Sequence, residues 1–301
     1  MMKVFMTGGS GFVGTYLSRE LARQGHEITI LTRKETPPPP GEPRIRFLTG
    51  NPTKEGPWMA AVPEHDWIIN LAGASIFTSW TEEKKREIHD SRVITTRNLV
   101  AALEKGDRGQ LFCSTSAIGY FGDRGEEDLF DDSPPGADFL SRLAKEWENE
   151  ALKAQELGIR VVVTRFGIVL GKGGGALEQM SRAFKMFLGG KIGAGEQWFS
   201  WIHQEDHARA FLFVQDHPEI SGPVNFTSPN PVRNRELTKA LGRALGRPTF
   251  MAAPAFMVRW FLGEFGEVLL TGQKVLPRRL LEAGFDYRYP DIDQALRNLL
   301  G

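Results

Sequence analysis

The stretch KVFMTGGSGFVG, residues 3–14, decides the fold. Residues 3–7 predict a short β-strand, and after the glycines Val13, Leu17 and Leu21 recur at the spacing of one helix face. Residues 26–32 are rich in β-branched side chains and predict a second strand. Strand, glycine turn, helix and strand within about 30 residues form a βαβ unit, and such a crossover implies a parallel sheet.

The glycines of this stretch have the spacing of a dinucleotide-binding turn. In such a turn they allow a tight bend, close approach of the backbone to a pyrophosphate, and close packing of the helix on the strand, with the phosphates at the helix N-terminus. Because the triplet lies between a predicted strand and a predicted helix, we expect it to bind a ligand. The cofactor contacts predicted here are Gly8, Ser10, Gly11, Phe12, Val13 and Gly14.

The pattern of strands and helices continues to residue 165 and predicts an α/β protein. Its doubly wound parallel Rossmann sheet should have the strand order 3-2-1-4-5-6. We expect residues 1–165 to form a NAD(P)-binding domain and residues 166–301 a smaller substrate lobe, with a strand near 224–227 returning to the first sheet. The further predicted elements are a loop from Pro37 to Gly41, strands at 44–48, 66–72, 111–116 and 160–165, and helices from Thr81 to about Lys105 and from Asp138 to about Leu157.

Composition excludes several other classes of protein. The 301 residues are 41% hydrophobic and 25% charged, as in an ordinary globular chain. With 37 basic and 37 acidic residues the formal net charge is zero, which gives no cationic field for nucleic acid. No apolar run approaches the roughly 18 to 20 residues of a membrane helix, no signal-peptide segment opens the chain, and Cys113 is the single cysteine. We expect a cytoplasmic protein with a small-molecule substrate and no nucleic-acid or membrane partner.

The end of the second predicted strand bears on the choice of dinucleotide. An acidic residue there would bind the ribose of NAD, whereas an arginine would accept the 2′-phosphate of NADP. The sequence has Arg33 and Lys34 at this point, 19 and 20 residues after Gly14, and a guanidinium beside an ammonium suits a phosphate. NADP(H) is therefore favoured over NAD(H). Glu35 keeps the NAD alternative open, as does a role of the two cations as solvated surface charges.

Other motifs extend along the whole chain and carry a family resemblance. The glycine turn, Asn70-Leu71-Ala72-Gly73 and Ser114-Thr115-Ser116-Ala117 resemble the extended and atypical short-chain dehydrogenase/reductases. A closer resemblance is to the YfcH-like nucleoside-diphosphate-sugar epimerase family, of the NAD-dependent epimerase/dehydratase type. It is carried by Trp80-Thr81, Ser91-Arg92-Val93, Gly119-Tyr120-Phe121-Gly122, Trp201-Ile202-His203, Pro231-Val232-Arg233-Asn234 and the tail from Leu276 to Phe285.

The resemblance implies further cofactor contacts and a catalytic pattern that can be tested by counting. In the superfamily a tyrosine is the acid/base, a lysine four residues later binds the nicotinamide ribose, and a strand-five serine orients the substrate. None of the four tyrosines is followed by lysine at that spacing, and the residue four before Lys145 is Ser141, a much poorer base. The contacts implied with the cofactor are Leu71, Ala72, Gly73, Lys145 and Phe166.

The remaining catalytic candidates are Ser116, Ser114 and Tyr120. Tyr120 is predicted as a substitute proton donor, and simple packing of its loop is an equal alternative. Lys145 is equally open to being an exposed helical lysine. A homodimer is compatible with the resemblance.

Two further patterns lie in the predicted substrate lobe. Trp201 and His203 are candidates for substrate contact. His203 and His207 have helical metal-ligand spacing, but we expect no metal, because Asp206 suits a helix cap and His203 a hydrogen-bonded or pocket-wall position. The glycines at 171–175 lack the P-loop pattern and predict a mobile loop.

These observations favour an NADP(H)-dependent epimerase or oxidoreductase. Its substrate would be a hydroxylated or carbonyl small molecule, for which a nucleotide sugar is one candidate. The alternative is an NADP(H)-binding sensor or scaffold without catalysis, which the missing Tyr-x-x-x-Lys favours.

Overall fold

A computed structural model of the chain describes residues 1–37, 40–103 and 109–301. Its strands are β1 (Lys3–Thr7), β2 (Glu27–Thr32), β3 (Ile45–Thr49), β4 (Trp67–Asn70), β5 (Leu111–Ala117), β6 (Asp128–Leu129), β7 (Arg160–Phe166), β8 (Ile168–Leu170), β9 (Trp198–Phe199), β10 (Trp201–His203), β11 (Gly222–Phe226), β12 (Val232–Arg233) and β13 (Lys274–Val275). Its helices are α1 (Phe12–Arg23), α2 (Glu82–Ala102), α3 (Phe139–Leu152), α4 (Gly175–Lys185), α5 (Gln204–Asp216), α6 (Asn234–Leu245), α7 (Ala255–Leu262), α8 (Glu264–Leu270), α9 (Arg278–Glu282) and α10 (Ile292–Leu300).

The central sheet has seven parallel strands in the order β3-β2-β1-β4-β5-β7-β11. The predicted order is confirmed for its first six strands, and β11 extends the sheet beside β7. All four residues of β4 are buried, as are four of the five in β1, because helices cover both faces of the sheet. The near-continuous apolar character of these strands follows from that double burial.

Helices pack on the sheet in two layers. α1 and α5 place Leu17, Leu21 and Phe211 against one face, whereas α2 and α3 place Leu99 and Ala151 against the other. α2 begins as expected at its N-cap Thr81, whose hydroxyl accepts from the Lys84 amide at 3.2 Å. Its predicted end at about Lys105 lies outside the described residues, as do residues 38 and 39 of the predicted loop at 37–41.

The C-terminal region adds a third apolar core, to which α4, α6 and α10 contribute Leu177, Leu237 and Leu296. The α7–α8 hairpin reaches back to the Rossmann layers, where Glu264 pairs with Lys85 at 2.6 Å. Because α5 and β11 lie in the Rossmann layers, the chain crosses between the two regions more than once, and the division at 165/166 stays a prediction. No helix of the described residues is long and apolar enough to cross a membrane.

The topology places the functional edge of the sheet. β1 and β4 are neighbours, but the strands that follow them along the chain, β2 and β5, lie on opposite sides of the pair. The loops that leave the carboxyl ends of β1 and β4 therefore diverge and open a crevice, which is where doubly wound folds bind their ligands.

Candidate functional site

The first residues of the turn after β1 contact the first residues of the loop after β4. Gly8 has a φ of +68°, and a Cβ there would lie 2.5 Å from the carbonyl carbon of Leu71. A Cβ on Gly14 would lie 2.4 Å from the Gly8 carbonyl oxygen, so the first turn of α1 packs directly on the loop. Gly11 is the N-cap of α1, and no side chain of the described residues caps that end. Gly8 and Gly14 therefore leave no room for side chains, and the helix N-terminus is left with unpaired amides.

The other residues predicted for this turn differ in exposure. Ser10 is exposed at the tip of the loop and Val13 is partly buried. The Phe12 ring lies under the glycine-rich segment at 171–175, since a Cβ on Gly174 would meet that ring at 2.6 Å. That packing leaves the Phe12 amide, rather than its ring, as the group available to a ligand.

Arg33 and Lys34 follow directly on β2, the strand next to β1. Both are exposed, and the Thr32 hydroxyl donates to the Lys34 carbonyl oxygen at 2.8 Å. Among the residues that the structure describes, neither side chain has an acidic partner. Glu35, the residue that favours NAD, is exposed beside them.

The loop after β4 is held by backbone and side-chain bonds. The Leu71 amide donates to the Thr7 carbonyl oxygen at 3.1 Å, and the Ala72 amide donates to Asn70 Oδ1 at 3.4 Å. Asn70 is fully buried and extends a polar network across the sheet, accepting from the Thr7 hydroxyl at 2.7 Å and donating to Thr96 Oγ1 at 2.8 Å. Its amide also lies 3.4 Å from Ser114 Oγ. This network fixes the carboxyl ends of β1, β4 and β5 relative to one another.

A second buried network lies at the ends of β5 and β7. Ser116 Oγ donates to Glu148 Oε1 at 2.6 Å. The Arg165 guanidinium donates to both carboxylate oxygens of Glu148, each at 2.8 Å, and to the Asp131 carbonyl oxygen at 2.9 Å. Arg165 is 2% exposed and Glu148 4%. This is a buried bidentate ion pair with its hydrogen bonds satisfied.

Tyr120 is attached to this second network. It lies in a short 3-10 helix, Ile118–Phe121, with the Arg165 guanidinium carbon 3.6 Å from its ring centroid. Burial raises the pKa of the phenol above its ordinary value, against an opposing effect of Arg165. The structure therefore brings together Ser116 and Tyr120 through Arg165, and links Ser114 to Asn70.

The residues at the superfamily's usual tyrosine and lysine positions, Ser141 and Lys145, differ in exposure. Ser141 is fully buried in the first turn of α3, with its hydroxyl 3.0 Å from the Gly119 carbonyl oxygen and 3.0 Å from Asp138 Oδ1. Lys145, one turn later, is exposed. Phe166, at the end of β7, packs edge-on against the His207 ring at 4.2 Å. The cofactor roles of Lys145 and Phe166 stay predictions.

Trp201 and His203 are both buried in the C-terminal region. Trp201 belongs to the third apolar core, and its indole donates to the Asn230 carbonyl oxygen at 3.1 Å. His203 is the N-cap of α5, accepting from the Glu205 amide at 3.1 Å, with its other ring nitrogen 3.2 Å from Asn298 Oδ1. The expected cap at Asp206 is wrong, because α5 begins at Gln204 and this carboxylate instead accepts from the amides of residues 288 and 289. The substrate roles of Trp201 and His203 stay predictions.

Sequence reasoning missed three residues of this edge: Glu148, Arg165 and Arg92. Arg165 is a charged residue near the end of a strand whose middle is apolar, and Glu148 lies beside Trp147 among the buried residues of α3. A buried charge in such a setting is a signal that could have found both. Arg92 lies near the middle of α2 and gave no such signal.

Comparison with known proteins places this geometry in a family. Residues 4–225 match the model of the NAD dependent epimerase/dehydratase family, and residues 253–299 match a domain of unknown function. The chain is 39% identical over 303 residues to the Arabidopsis thaliana epimerase family protein SDR39U1 homolog, chloroplastic, covering 99% of this chain and 87% of that one. It is 38% identical over 303 residues to the Bacillus subtilis epimerase family protein YfhF, covering 99% and 98%.

A solved structure agrees with these relatives. The crystal structure of human epimerase family protein SDR39U1 with NADPH matches with a TM-score of 0.86 at 32% identity, and the match covers 99% of each chain. The predicted resemblance is thereby confirmed, and the chain belongs to the NAD dependent epimerase/dehydratase family.

Proposed function

We propose that the protein is an NADP(H)-dependent enzyme of the cytoplasm that oxidises, reduces or epimerises a hydroxyl- or carbonyl-bearing small molecule. The observation that carries the proposal is the β1–α1 turn, in which Gly8 and Gly14 have no space for side chains beside the loop after β4. Such a cradle suits a pyrophosphate, which needs close backbone approach and the amides of a helix N-terminus. The NADPH in the human relative's structure supports the same cofactor.

The residues present fit an NADP cofactor better than NAD. The exposed side chains of Arg33 and Lys34, on the strand next to the turn, would bind the 2′-phosphate. Glu35 would have to replace them at the ribose for NAD to be preferred. The amides of the first turn of α1 would bind the pyrophosphate, and the loop at Leu71 to Gly73 would lie along the cofactor.

Tyr120 is the group best placed to move a proton. The nicotinamide, when bound, supplies or accepts a hydride. The phenol of Tyr120, whose ordinary pKa of 10.0 is raised further by burial, carries its proton at neutral pH and can donate it to a substrate oxygen. Arg165, stacked on the ring, holds the phenol in one orientation.

The two serines of β5 take different roles in this proposal. The Ser116 hydroxyl donates its hydrogen bond to the buried carboxylate of Glu148, so it cannot donate to a substrate at the same time. Ser116 is therefore a positioning residue. Ser114 is fully buried and accepts from Asn70 at 3.4 Å, and no described residue accepts a hydrogen bond from its hydroxyl. In this proposal it donates to a substrate oxygen that reaches the carboxyl end of β5.

Titration of the purified protein with NADPH and NADH, followed by nicotinamide fluorescence, tests the cofactor. We expect NADPH to bind more tightly, and the double variant Arg33→Ala, Lys34→Ala to lose most of that preference while keeping its affinity for NADH. Arg44→Gln removes an exposed arginine at the start of β3, far from this edge, and is the matched control. Failure of both dinucleotides to bind below roughly millimolar would refute the proposal.

A non-catalytic sensor or scaffold is the second candidate. Ser141 favours it, because the residue in the superfamily's tyrosine position is buried and hydrogen-bonded to Gly119. A screen of carbonyl compounds and sugar nucleotides with NADPH consumption as the readout separates the two. Turnover that falls in Tyr120→Phe supports the enzyme, whereas tight NADPH binding without turnover across the screen supports the sensor.

A further inference from the structure

Arg92 is a partly buried arginine of α2, and its contacts among the described residues are with neutral groups. Its Nη1 donates to the Ile88 carbonyl oxygen at 3.0 Å and its Nη2 donates to the Ala74 carbonyl oxygen at 3.0 Å. The guanidinium carbon lies 5.4 Å from the ring centroid of Trp147. Two of its five N–H groups are used in these bonds, which leaves three donors for another acceptor.

No carboxylate within the described part of the chain pairs with Arg92. Burial lowers its pKa to about 10, and it stays a cation at neutral pH. Removing a cation from water without a counter-charge is unfavourable. Two carbonyl oxygens compensate only part of that loss, since they offer dipoles and no charge.

The Arg92 guanidinium lies at the carboxyl edge of the sheet, beside the loop after β4. A Cβ on Gly73 would lie 3.0 Å from the Arg92 guanidinium carbon, so the absence of a side chain at Gly73 lets the two pack together. Gly73 is itself exposed, and it follows the Leu71–Ala72 backbone that contacts Gly8. The charge therefore lies directly beside the open loop that borders the crevice.

Holding the loop in place does not by itself require an arginine. Ser91 already accepts from the Ala74 amide at 2.9 Å, which ties the same residue to α2. A neutral amide side chain could donate to the Ala74 carbonyl oxygen. Beyond its contact with the Trp147 ring, what only a cation adds here is affinity for an anion.

We propose that Arg92 binds an oxyanion, a phosphate or carboxylate group, of a ligand that lies over Gly73. The inference rests on the proposed function for the identity of the ligand site. Two sources share this chemistry: the bridging phosphates of the dinucleotide, and an oxyanion on the second ligand that binds beside it.

The experiment compares Arg92→Gln, Arg92→Lys and Ser91→Ala with the wild type by calorimetric titration. Arg92→Gln removes the charge and keeps a donor, Arg92→Lys keeps the charge, and Ser91→Ala loosens the same loop without altering charge. NADPH is titrated at low and high salt. Inorganic phosphate and oxalate are then titrated into the protein alone and into the protein saturated with NADP⁺. Thermal melting followed by circular dichroism checks that each variant is folded.

Each source gives its own result. If the oxyanion is the cofactor's, Arg92→Gln weakens NADPH by about tenfold or more and reduces its salt dependence, Arg92→Lys recovers part of the affinity, and Ser91→Ala changes it little. If the oxyanion belongs to the second ligand, NADPH affinity is unchanged and Arg92→Gln abolishes the binding of phosphate or oxalate to the NADP⁺ complex.

The proposal is overturned if Arg92→Gln matches Ser91→Ala for NADPH and also matches the wild type for phosphate and oxalate, including the case in which the wild type binds neither anion. Should Arg92→Gln fail to fold, Arg92→Met, which also removes the charge, is compared in its place by the same criterion. Failure of the wild type to bind NADPH refutes the proposed function instead. The oxyanion titrations on the protein alone then decide the role of Arg92.

Discussion

Arg165 and Arg92 lie near the same edge of the sheet but are compensated differently. Arg165 forms a bidentate pair with Glu148, which also accepts a hydrogen bond from the Ser116 hydroxyl. Arg92 donates to two carbonyl oxygens and has no carboxylate partner among the described residues. The charge of Arg165 is therefore compensated within the fold, and its guanidinium packs on the ring of Tyr120. The second is left with a charge that, in our proposal, a ligand neutralises.

Breaking the buried pair by Glu148→Gln should have a large effect on stability. The amide keeps the volume of the side chain but leaves Arg165 buried without a counter-charge, so we expect the free energy of unfolding to fall by about 3–5 kcal/mol. Urea denaturation followed by circular dichroism measures it. Glu178→Gln, which removes one partner of the exposed pair with Arg182, is the control and should change it by less than about 1 kcal/mol. Equal losses in the two variants would contradict the distinction.

Two buried histidines, His203 and His207, should avoid a buried positive charge by staying neutral. Burial lowers the pKa of His203 to about 4 and that of His207 to about 3, from an ordinary 6.5. Below pH 6.5 the unfolded chain therefore binds more protons than the native state, and stability falls as the pH is lowered from 7 towards 4. At pH 5 each histidine should reduce stability by about 2 kcal/mol relative to pH 7.

Denaturation at pH 7 and pH 5 tests this dependence. His203→Asn keeps a side chain that can cap α5 and removes one of the two titrating groups, so its loss of stability between these pH values should be smaller than in the wild type. An unchanged difference would show that His203 does not carry the effect.

Arg92→Met should change stability far less than Arg165→Met. The first variant loses two hydrogen bonds to carbonyl oxygens but also removes an uncompensated charge, so we expect a free energy of unfolding within about 1 kcal/mol of wild type. Arg165→Met strands the Glu148 carboxylate and should lower the free energy by about 3–5 kcal/mol. Parallel urea titrations make the comparison, and similar losses would assign Arg92 a structural role.

Gly73→Ala should have the smallest effect on stability. Its Cβ would lie 3.0 Å from the Arg92 guanidinium carbon, which a shift of a few tenths of an ångström relieves. We expect a loss of less than about 1 kcal/mol in stability, together with weaker binding of NADPH or of phosphate, whichever Arg92→Gln affects. Gly56→Ala, where the nearest atom would be 3.4 Å away, is the matched control and should leave both titrations unchanged.

The local backbone of this protein could be predicted from short stretches of sequence. Gly8 and Gly14 are required by contacts within or directly beside one βαβ unit, and the apolar periodicity of each segment indicated the strands and helices of the sheet. The N-cap at Thr81 was correctly predicted for the same reason, since its acceptor role involves a residue three positions away. At α5 the same reasoning chose Asp206 instead of His203, because the partners of Asp206 lie more than 80 residues later.

The sequence by itself determined the Rossmann fold, the order of its first six strands and the place of the glycine turn, because periodicity and glycine spacing act over a few residues. Only the tertiary structure decided which charges are paired. Arg165 meets Glu148 because β7 and α3 pack together, whereas Arg92 meets no carboxylate of the described residues because α2 packs its side chain under Gly73. Counter-charges come from elements distant in the chain, and no local pattern records whether one is within reach.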